Sequence, residues 1–437
     1  MNKSRLFIIT LLLSVCSIVF AQEDLYLEKV TILSRHNVRA PLDSYLSTLE
    51  EMTANRHHWT RWSVPGSNLT LKGGALETLF GEYFRLWLEK EQFELDSLAS
   101  VGQVYFGASS KQRTIATARS FAAGLIPLKT IDVDFKRKEN GDVGFLDPDY
   151  LPLLNDNSYS DGEFDIAAFK AEAYRELGDL QAPSYTFLEK ILGMKRSSYA
   201  RKHGTQHFDN HIGVCLDFHD KDGNPLEPTM RGGLKDANMA SDAFILQYYE
   251  MNNPRDAAFG HRLCFNDWKR LAYIKDYYGE ILFTAPIISV NISHCMLKRI
   301  QSEMASRGHK FALFCSHDSM ITAVLAALRV VPYELPNTIE SQTPIGCKLV
   351  LEQWGETSGS NPKRYVRVRL VYQSSDQIRG MRQMDLDNPP MSFDLCFTGL
   401  EKMPNGMYDY DDFMHHLQNS IEAYNATAIG RHPFLRF

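Results

Sequence analysis

The chain has 437 residues, 44% of them hydrophobic and 11% aromatic, which is ample material for a large core and for two domains. Its formal charge is −6, which argues against a nucleic-acid scaffold, whose affinity rests on an excess of cations. No low-complexity stretch or internal repeat is visible, so neither a disordered linker protein nor a solenoid is indicated.

Residues 1–21 read as a secretory signal: Lys3 and Arg5, an apolar run from Leu6 to Val19, then Val19-Phe20-Ala21, predicting cleavage after Ala21. A lipoprotein reading through Cys16 is the alternative, disfavoured by bulky Val15 just before it. Cleavage removes two cations and no acid, taking the charge to −8, and implies export to a periplasm or the medium. No later segment reaches the roughly eighteen apolar residues of a membrane span. Six cysteines then remain (Cys215, Cys264, Cys295, Cys315, Cys347, Cys396), compatible with three disulfides whose pairing the sequence leaves open. Cys315 and Cys347 lie in apolar, strand-like runs and equally suit buried thiols.

A first strand over 29–34 carries the β-branched run Val30-Thr31-Ile32-Leu33 and gives out at Ser34-Arg35-His36-Asn37-Val38-Arg39-Ala40-Pro41. Thr70 then caps a long helix whose apolar face is Leu76, Leu79, Phe80, Tyr83 and Trp87. A strand over 103–108 leads through Ser109 to a helix with Arg113 in its first turn, where a cation opposes the macrodipole and suggests an anion to hold. From about 136 to 274 the character changes to helical stretches, such as Phe164–Leu177 and Asp242–Met251, punctuated by loop signals. The α/β pattern resumes with a strand over 310–315, the run Ser316-His317-Asp318-Ser319 and a helix from Met320 to Leu328. A hairpin of Cys347–Gln353 and Tyr365–Tyr372 follows.

The chemistry of these junctions suggests a phosphate. Guanidinium forks bind phosphate oxygens bidentately, and a neutral imidazole can attack phosphorus. Arg35, Arg39 and Arg113 are the candidate clamp, and His36 is the candidate nucleophile. Each has a plainer reading: a solvated basic turn for Arg35-His36, an exposed arginine for Arg113, a helix cap for Asp318. His203, His207 and His211 recur at helical spacing and suggest a metal, but Gly204, Asp209 and Gly213 make a poor helix, and the scheme requires no metal and no cofactor.

Taken together, Arg35-His36-x-x-Arg39-x-Pro41, Gln112-Arg113-Thr114 and His317-Asp318-Ser319 resemble the histidine acid phosphatases of the histidine phosphatase superfamily, branch 2. Asn37 in place of the usual Gly, with Val64-Pro65-Gly66, Lys72-Gly73-Gly74, Asp242-Ala243-Phe244, Gln247-Tyr248-Tyr249-Glu250 and Thr343-Pro344-Ile345-Gly346, resembles the glucose-1-phosphatase subgroup. The resemblance runs from about Val30 to Asp411. It implies an α/β fold, a three-layer core with a mixed central sheet flanked by helices (22–135 and 275–437), and an inserted, mostly α-helical cap (136–274) that sets specificity. It implies His36 as nucleophile, Asp318 as proton donor, and Arg35, Arg39, Arg113 and His317 as phosphate ligands. It also implies Glu227, fifteen residues before Asp242, as a gate at the pocket mouth, and places Lys235 near the substrate.

The implied partner is a small phosphate monoester (glucose 1-phosphate or inositol phosphates), acting on a monomer or homodimer. Two departures matter: Met320 stands where Asn is usual, and residues 196–222, rich in His, Lys and Arg, match nothing in the pattern. A sugar phosphatase, a broader phytase or acid phosphatase, and a non-catalytic phosphate-ester binding protein are the readings to separate. The last would be expected to lack His36 or Asp318, and both are present.

Overall fold

The first strand, β1 (Leu25–Arg35), carries Val30 and Ile32 on one face and Leu33 on the other, all fully buried, so it must be covered by helices on both sides. In the computed structural model, which describes residues 25–130, 132–135, 184–208, 232–284, 286–358 and 360–427, β1 is the third strand of a mixed seven-stranded sheet. The others are β2 (Val104–Ala108), β3 (Phe311–Ser316), β4 (Lys348–Glu356), β5 (Arg364–Tyr372), β6 (Met391–Asp394) and β7 (Tyr408–Asp409). The order is β2-β3-β1-β4-β5-β6, with β7 on the far end of β5. β2, β3 and β1 are mutually parallel, while β4, β5 and β6 are antiparallel, the expected hairpin being β4–β5.

One face is covered by α1 (Leu71–Lys90) and α2 (Gln112–Leu125). Val30, Ile32, Phe106 and Leu313 pack there against Phe80, Phe84 and Phe121. Thr70 caps α1 as its position suggests, accepting from the Gly73 amide at 3.0 Å. The two helices approach closely because both carry glycine at the crossing: a Cβ on Gly124 would lie 2.0 Å from the Thr78 carbonyl. The other face is covered by α3 (Gly233–Glu250), α4 (Phe265–Phe283), α5 (Pro286–Ala305), α6 (Asp318–Ala327) and α7 (Tyr410–Thr427), which share the larger apolar core with Leu33 and Phe314.

This is the three-layer α/β core expected; β1, β4 and β5 run longer than expected, β2 starts one residue later, and β3 is shifted by one. Helix α4 runs without a break through the 274/275 boundary expected for the cap. Residues 1–21, the helix expected over 164–177, Cys215, His211 and Glu227, expected as a gate, lie outside the described residues. Among the described residues no single helix is long and apolar enough to cross a membrane.

Candidate active site

The parallel register explains why the motifs meet. Arg35 pairs with Ser316 and Ala108 with Cys315, so His36, His317 and Ser109 leave the sheet side by side at the carboxyl ends of three adjacent strands. Backbone bonds stitch the exits together: His36 N–H donates to Ser316 O (3.1 Å) and Ser109 N–H to Cys315 O (2.9 Å). A cleft of about 750 Å³ opens above them, lined by His36, Arg39, Arg113, His317 and Asp318 together with Lys111, Lys235, Asn238, Asp242 and Lys275. Five of the six catalytic and phosphate-binding residues expected from sequence thus share one wall. The sixth, Arg35, sits behind it, 1% exposed.

His36 is 2% exposed, and its Nδ1 lies 2.9 Å from the Asn37 carbonyl. A carbonyl can only accept, so the proton is on Nδ1 and the lone pair of Nε2 is free. Burial, reinforced by Arg113, His317, Arg39 and Arg35, holds the ring's pKa well below the ordinary value, so His36 stays neutral in acid. Asn37 is itself anchored: its Nδ2 donates to Glu77 Oε1 (2.7 Å), and its Oδ1 accepts from Val38 N–H (2.8 Å). Glu77 in turn meets Lys348 Nζ at 2.9 and 3.0 Å, both side chains fully buried. Gly346, at φ +72°, allows this packing, since a Cβ there would lie 2.5 Å from Asn37 Nδ2.

His317 is placed with Nε2 3.3 Å from Ser109 Oγ and Nδ1 3.5 Å from Arg113 Nη2, so Nδ1 faces a group that can only donate. Its ring meets that of His36 edge-on at 5.5 Å. Burial and Arg113 push its pKa well down, as for His36. Arg39 is aimed by Asp242, with Nη2 2.9 Å from Oδ2.

Asp318 does not serve as the cap of α6. The helix starts on it, and His317 occupies the cap position with no side-chain bond. One Asp318 oxygen receives the Ser319 N–H (3.1 Å), while the other lies 3.1 Å from Arg35 Nη2 and 2.6 Å from Lys275 Nζ. Burial would raise this carboxyl, but Arg35 and Lys275 outweigh it and hold it well below the usual carboxylate range. Arg35 is also bound by Glu340 (2.7 Å) and the Thr343 carbonyl.

Sequence reasoning missed Lys275, Glu340, Asn238 and the Glu77–Lys348 pair, because each stands in an ordinary-looking helix, strand or loop with no motif around it. Met320 bears on nothing in the cleft: it is 2% exposed and packs in the larger core. Gly204, at φ +67°, ends the helix Ser198–His203, so His203 and His207 share no helix face, and His207 turns to Glu189 at 2.9 Å. Among the described residues no group of three metal-ligating side chains is found. Cys315 and Cys347 are buried free thiols, each pushed up by burial to about 12.

Residues 26–371 match the profile of the histidine phosphatase superfamily (branch 2). Two curated relatives are glucose-1-phosphatases. That of Providencia rettgeri is 33% identical over 407 residues, covering 92% of this chain and 93% of the relative. That of Salmonella typhimurium is 32% identical over 401 residues, covering 90% and 92%. Among solved structures, the phytase from Citrobacter braakii superposes with a TM-score of 0.75 at 24% identity, covering 90% of this chain and 98% of that one, which is a likeness of fold.

Proposed function

The chain belongs to the histidine phosphatase superfamily, branch 2, and is a phosphoric monoester hydrolase of the histidine acid phosphatase type; we propose that His36 carries the phosphoryl group and that a small sugar ester is the preferred substrate. The observation that carries the first part is the His36 tautomer: Nδ1 is held by the Asn37 carbonyl, leaving Nε2 as a nucleophile in a cationic cleft. Nε2 attacks phosphorus as the ester P–O bond breaks, while Arg39 and Arg113, the latter beside His317, meet the charge growing on the equatorial oxygens. Arg35 acts at the back of the same clamp, turned by Glu340.

Arg35 and Lys275 favour the carboxylate form of Asp318. A phosphate monoester has its second pKa near 6, so in acid it arrives as the monoanion with a proton of its own. That proton passes between phosphoryl oxygen and Asp318 and ends on the leaving oxygen. In the second step Asp318, again a carboxylate, takes a proton from the water that attacks the phosphohistidine. An acid optimum then follows from the need for that one proton, which phosphate and Asp318 share in the complex.

For the leaving group, support comes from the glucose-1-phosphatase relatives and from Asn238. Its side-chain oxygen is buried in the cleft wall without a hydrogen-bond partner among the described residues, and it suits a sugar hydroxyl. A phytase reading is favoured by one observation, the cations Lys111 and Lys235 in the same cleft, which suit extra phosphates. Residues 136–274 are read as the specificity cap, with Glu227 at the mouth, and residues 1–21 as an export signal.

The test is phosphate release at about pH 4–5, near the carboxylate and ester pKa values, from glucose 1-phosphate against myo-inositol hexakisphosphate. Preference for the sugar ester, abolished in His36→Ala along with acid-quenched phosphoenzyme, supports the reading. Preference for the inositol ester transfers the protein to the phytase reading, and hydrolysis surviving His36→Ala removes the nucleophile assignment.

A further inference from the structure

Of the lysines in the cleft that the phosphate clamp does not use, Lys275 lies against Asp318. Lys275 projects from the middle of α4, its side chain 14% exposed, and ends 2.6 Å from Asp318 Oδ2 and 3.7 Å from Glu340 Oε1. Arg35 approaches the same two carboxylates from the opposite side, at 3.1 Å and 2.7 Å. The four groups alternate in sign around a closed square with Asp318 at its one open corner, 30% exposed.

We propose that Lys275 is a positioning residue for Asp318: it fixes the carboxylate between α4 and the end of β1, on the wall shared with His36, and governs when that carboxylate can hold the proton destined for the leaving oxygen. The inference rests on the proposed roles of His36 and Asp318. Three features of the geometry support it. Asp318 sits at the first position of α6 and makes only one backbone contact, to Ser319, so its remaining oxygen is aimed by side chains alone. Arg35 is already committed to Glu340 and the Thr343 carbonyl and is buried, so it cannot follow the carboxylate into the cleft. Lys275 is a flexible ammonium lining the cleft, able to stay with the carboxylate through both half-reactions.

The surroundings define the sign of the effect. Asp318 faces Arg35 and His36 from the β1 end, Lys275 from α4, and His317 beside it on the chain. Lys275 faces Arg35, Asp318, Glu340 and Asp242, while Asp276 next to it bonds Ser341 and is raised to about 6 by burial and Glu340. Removing the Lys275 charge therefore leaves Arg35 alone against a mainly anionic square, and the affinity of Asp318 for a proton rises. An adjacent opposite charge moves a carboxylate by about one to three pH units.

The experiment is the rate of phosphohistidine formation in a single turnover, with enzyme saturating, followed against pH. Glucose 1-phosphate, whose alkoxide must be protonated, is compared with p-nitrophenyl phosphate, whose phenolate leaves without a proton. In Lys275→Met the falling alkaline limb for glucose 1-phosphate moves up by about one unit or more, while that for p-nitrophenyl phosphate stays at its wild-type position. Lys275→Arg restores the wild-type limb. An unmoved limb in a folded, active Lys275→Met enzyme overturns the proposal, as does an equal shift with both esters. If Lys275→Met and Lys275→Gln both fail to fold while Lys275→Arg folds, Lys275 is a structural residue and the proposal also fails. Failure of the underlying reading looks different: no phosphohistidine would form in the wild-type enzyme from either ester.

Discussion

The floor and the roof of the cleft are built in opposite ways. The floor comes from three adjacent parallel strands, and its groups are locked through consecutive buried bonds: His36 to the Asn37 carbonyl, Asn37 to Glu77, Glu77 to Lys348. The roof comes from α3 and α4, which present Lys235, Asn238 and Lys275 from helix faces. Lys235 and Lys275 are partly exposed, and the Asn238 oxygen has no partner among the described residues. The contrast follows from what each must bind. A phosphoryl group never varies, so its site gains from being rigid before the substrate arrives. A leaving group varies, and the groups that meet it are left with bonds still to make.

The sharpest way to break this division is at Asp318, where the two halves touch. Asp318→Asn keeps the shape and removes the proton carrier. Hydrolysis of glucose 1-phosphate should fall by about 10²–10⁴-fold, and that of p-nitrophenyl phosphate by much less in the first half-reaction, resolved by burst kinetics. Equal losses with both esters would make Asp318 part of the phosphate floor.

A comparable free energy is at stake deeper in the floor. Lys348→Met leaves Glu77 ionised or strained with no cation, in a site with no exposure at all. Burial already pushes Glu77 upward against the pull of Lys348. Breaking a buried pair from one side costs about 3–5 kcal/mol, whereas replacing both partners can be close to neutral. Urea unfolding should show that loss in Lys348→Met and substantial recovery in Lys348→Met with Glu77→Leu. If the double replacement is as unstable as the single, the pair is not acting as a unit.

The same contrast governs what the sequence disclosed. The floor was legible because its chemistry is contiguous: Arg35, His36 and Arg39 fall within five residues, and His317 and Asp318 are neighbours. Parallel pairing of two strand-to-loop junctions then brings them together in the fold. Lys275 was not legible. It lies in an amphipathic helix where a lysine reads as a solvated position, and only the packing of α4 against α6 gives it Asp318 and Glu340. Glu340 and Lys348 were hidden for a related reason: nothing in a loop or a strand marks one charge as destined for full burial opposite another distant in sequence. Asp318 was half legible, its proximity to the site being clear while its low pKa depended on both hidden partners.

A smaller effect should appear at the roof. Asn238→Leu removes the unpartnered side-chain oxygen and keeps a side chain of similar size. A hydrogen bond to a sugar hydroxyl is worth about 0.5–1.5 kcal/mol, so kcat/KM for glucose 1-phosphate should drop by about three- to tenfold, and that for p-nitrophenyl phosphate should not change. A loss shared by both esters would place Asn238 with the floor.

The smallest expected signal is the floor's share in the pH dependence of stability. His36 is neutral and buried in the folded enzyme, with its pKa well below 6.5, and close to 6.5 once unfolded. Between those two values the unfolded chain binds a proton that the folded one does not. Stability therefore rises with pH through that window and is lost as pH falls below about 6.5, by at most about 1.4 kcal/mol per pH unit for one histidine. Asp318 acts in the same direction but in a separate window: its lowered pKa contributes stability that is present above the ordinary aspartate value near 3.8 and lost below it. Between pH 7 and 5 His317 adds to His36, and the lowered His57, His261, His294 and His416 share the window. Asp276, raised to about 6, acts in the opposite sense, so the His36 share is read from the variant. His36→Gln should flatten the slope by up to one proton's worth, and inorganic phosphate, by filling the cationic floor, should raise the midpoint of the wild-type enzyme. A slope unchanged in His36→Gln would mean that the ring takes up a proton in the folded state, and a protonated His36 has no lone pair on Nε2 with which to attack.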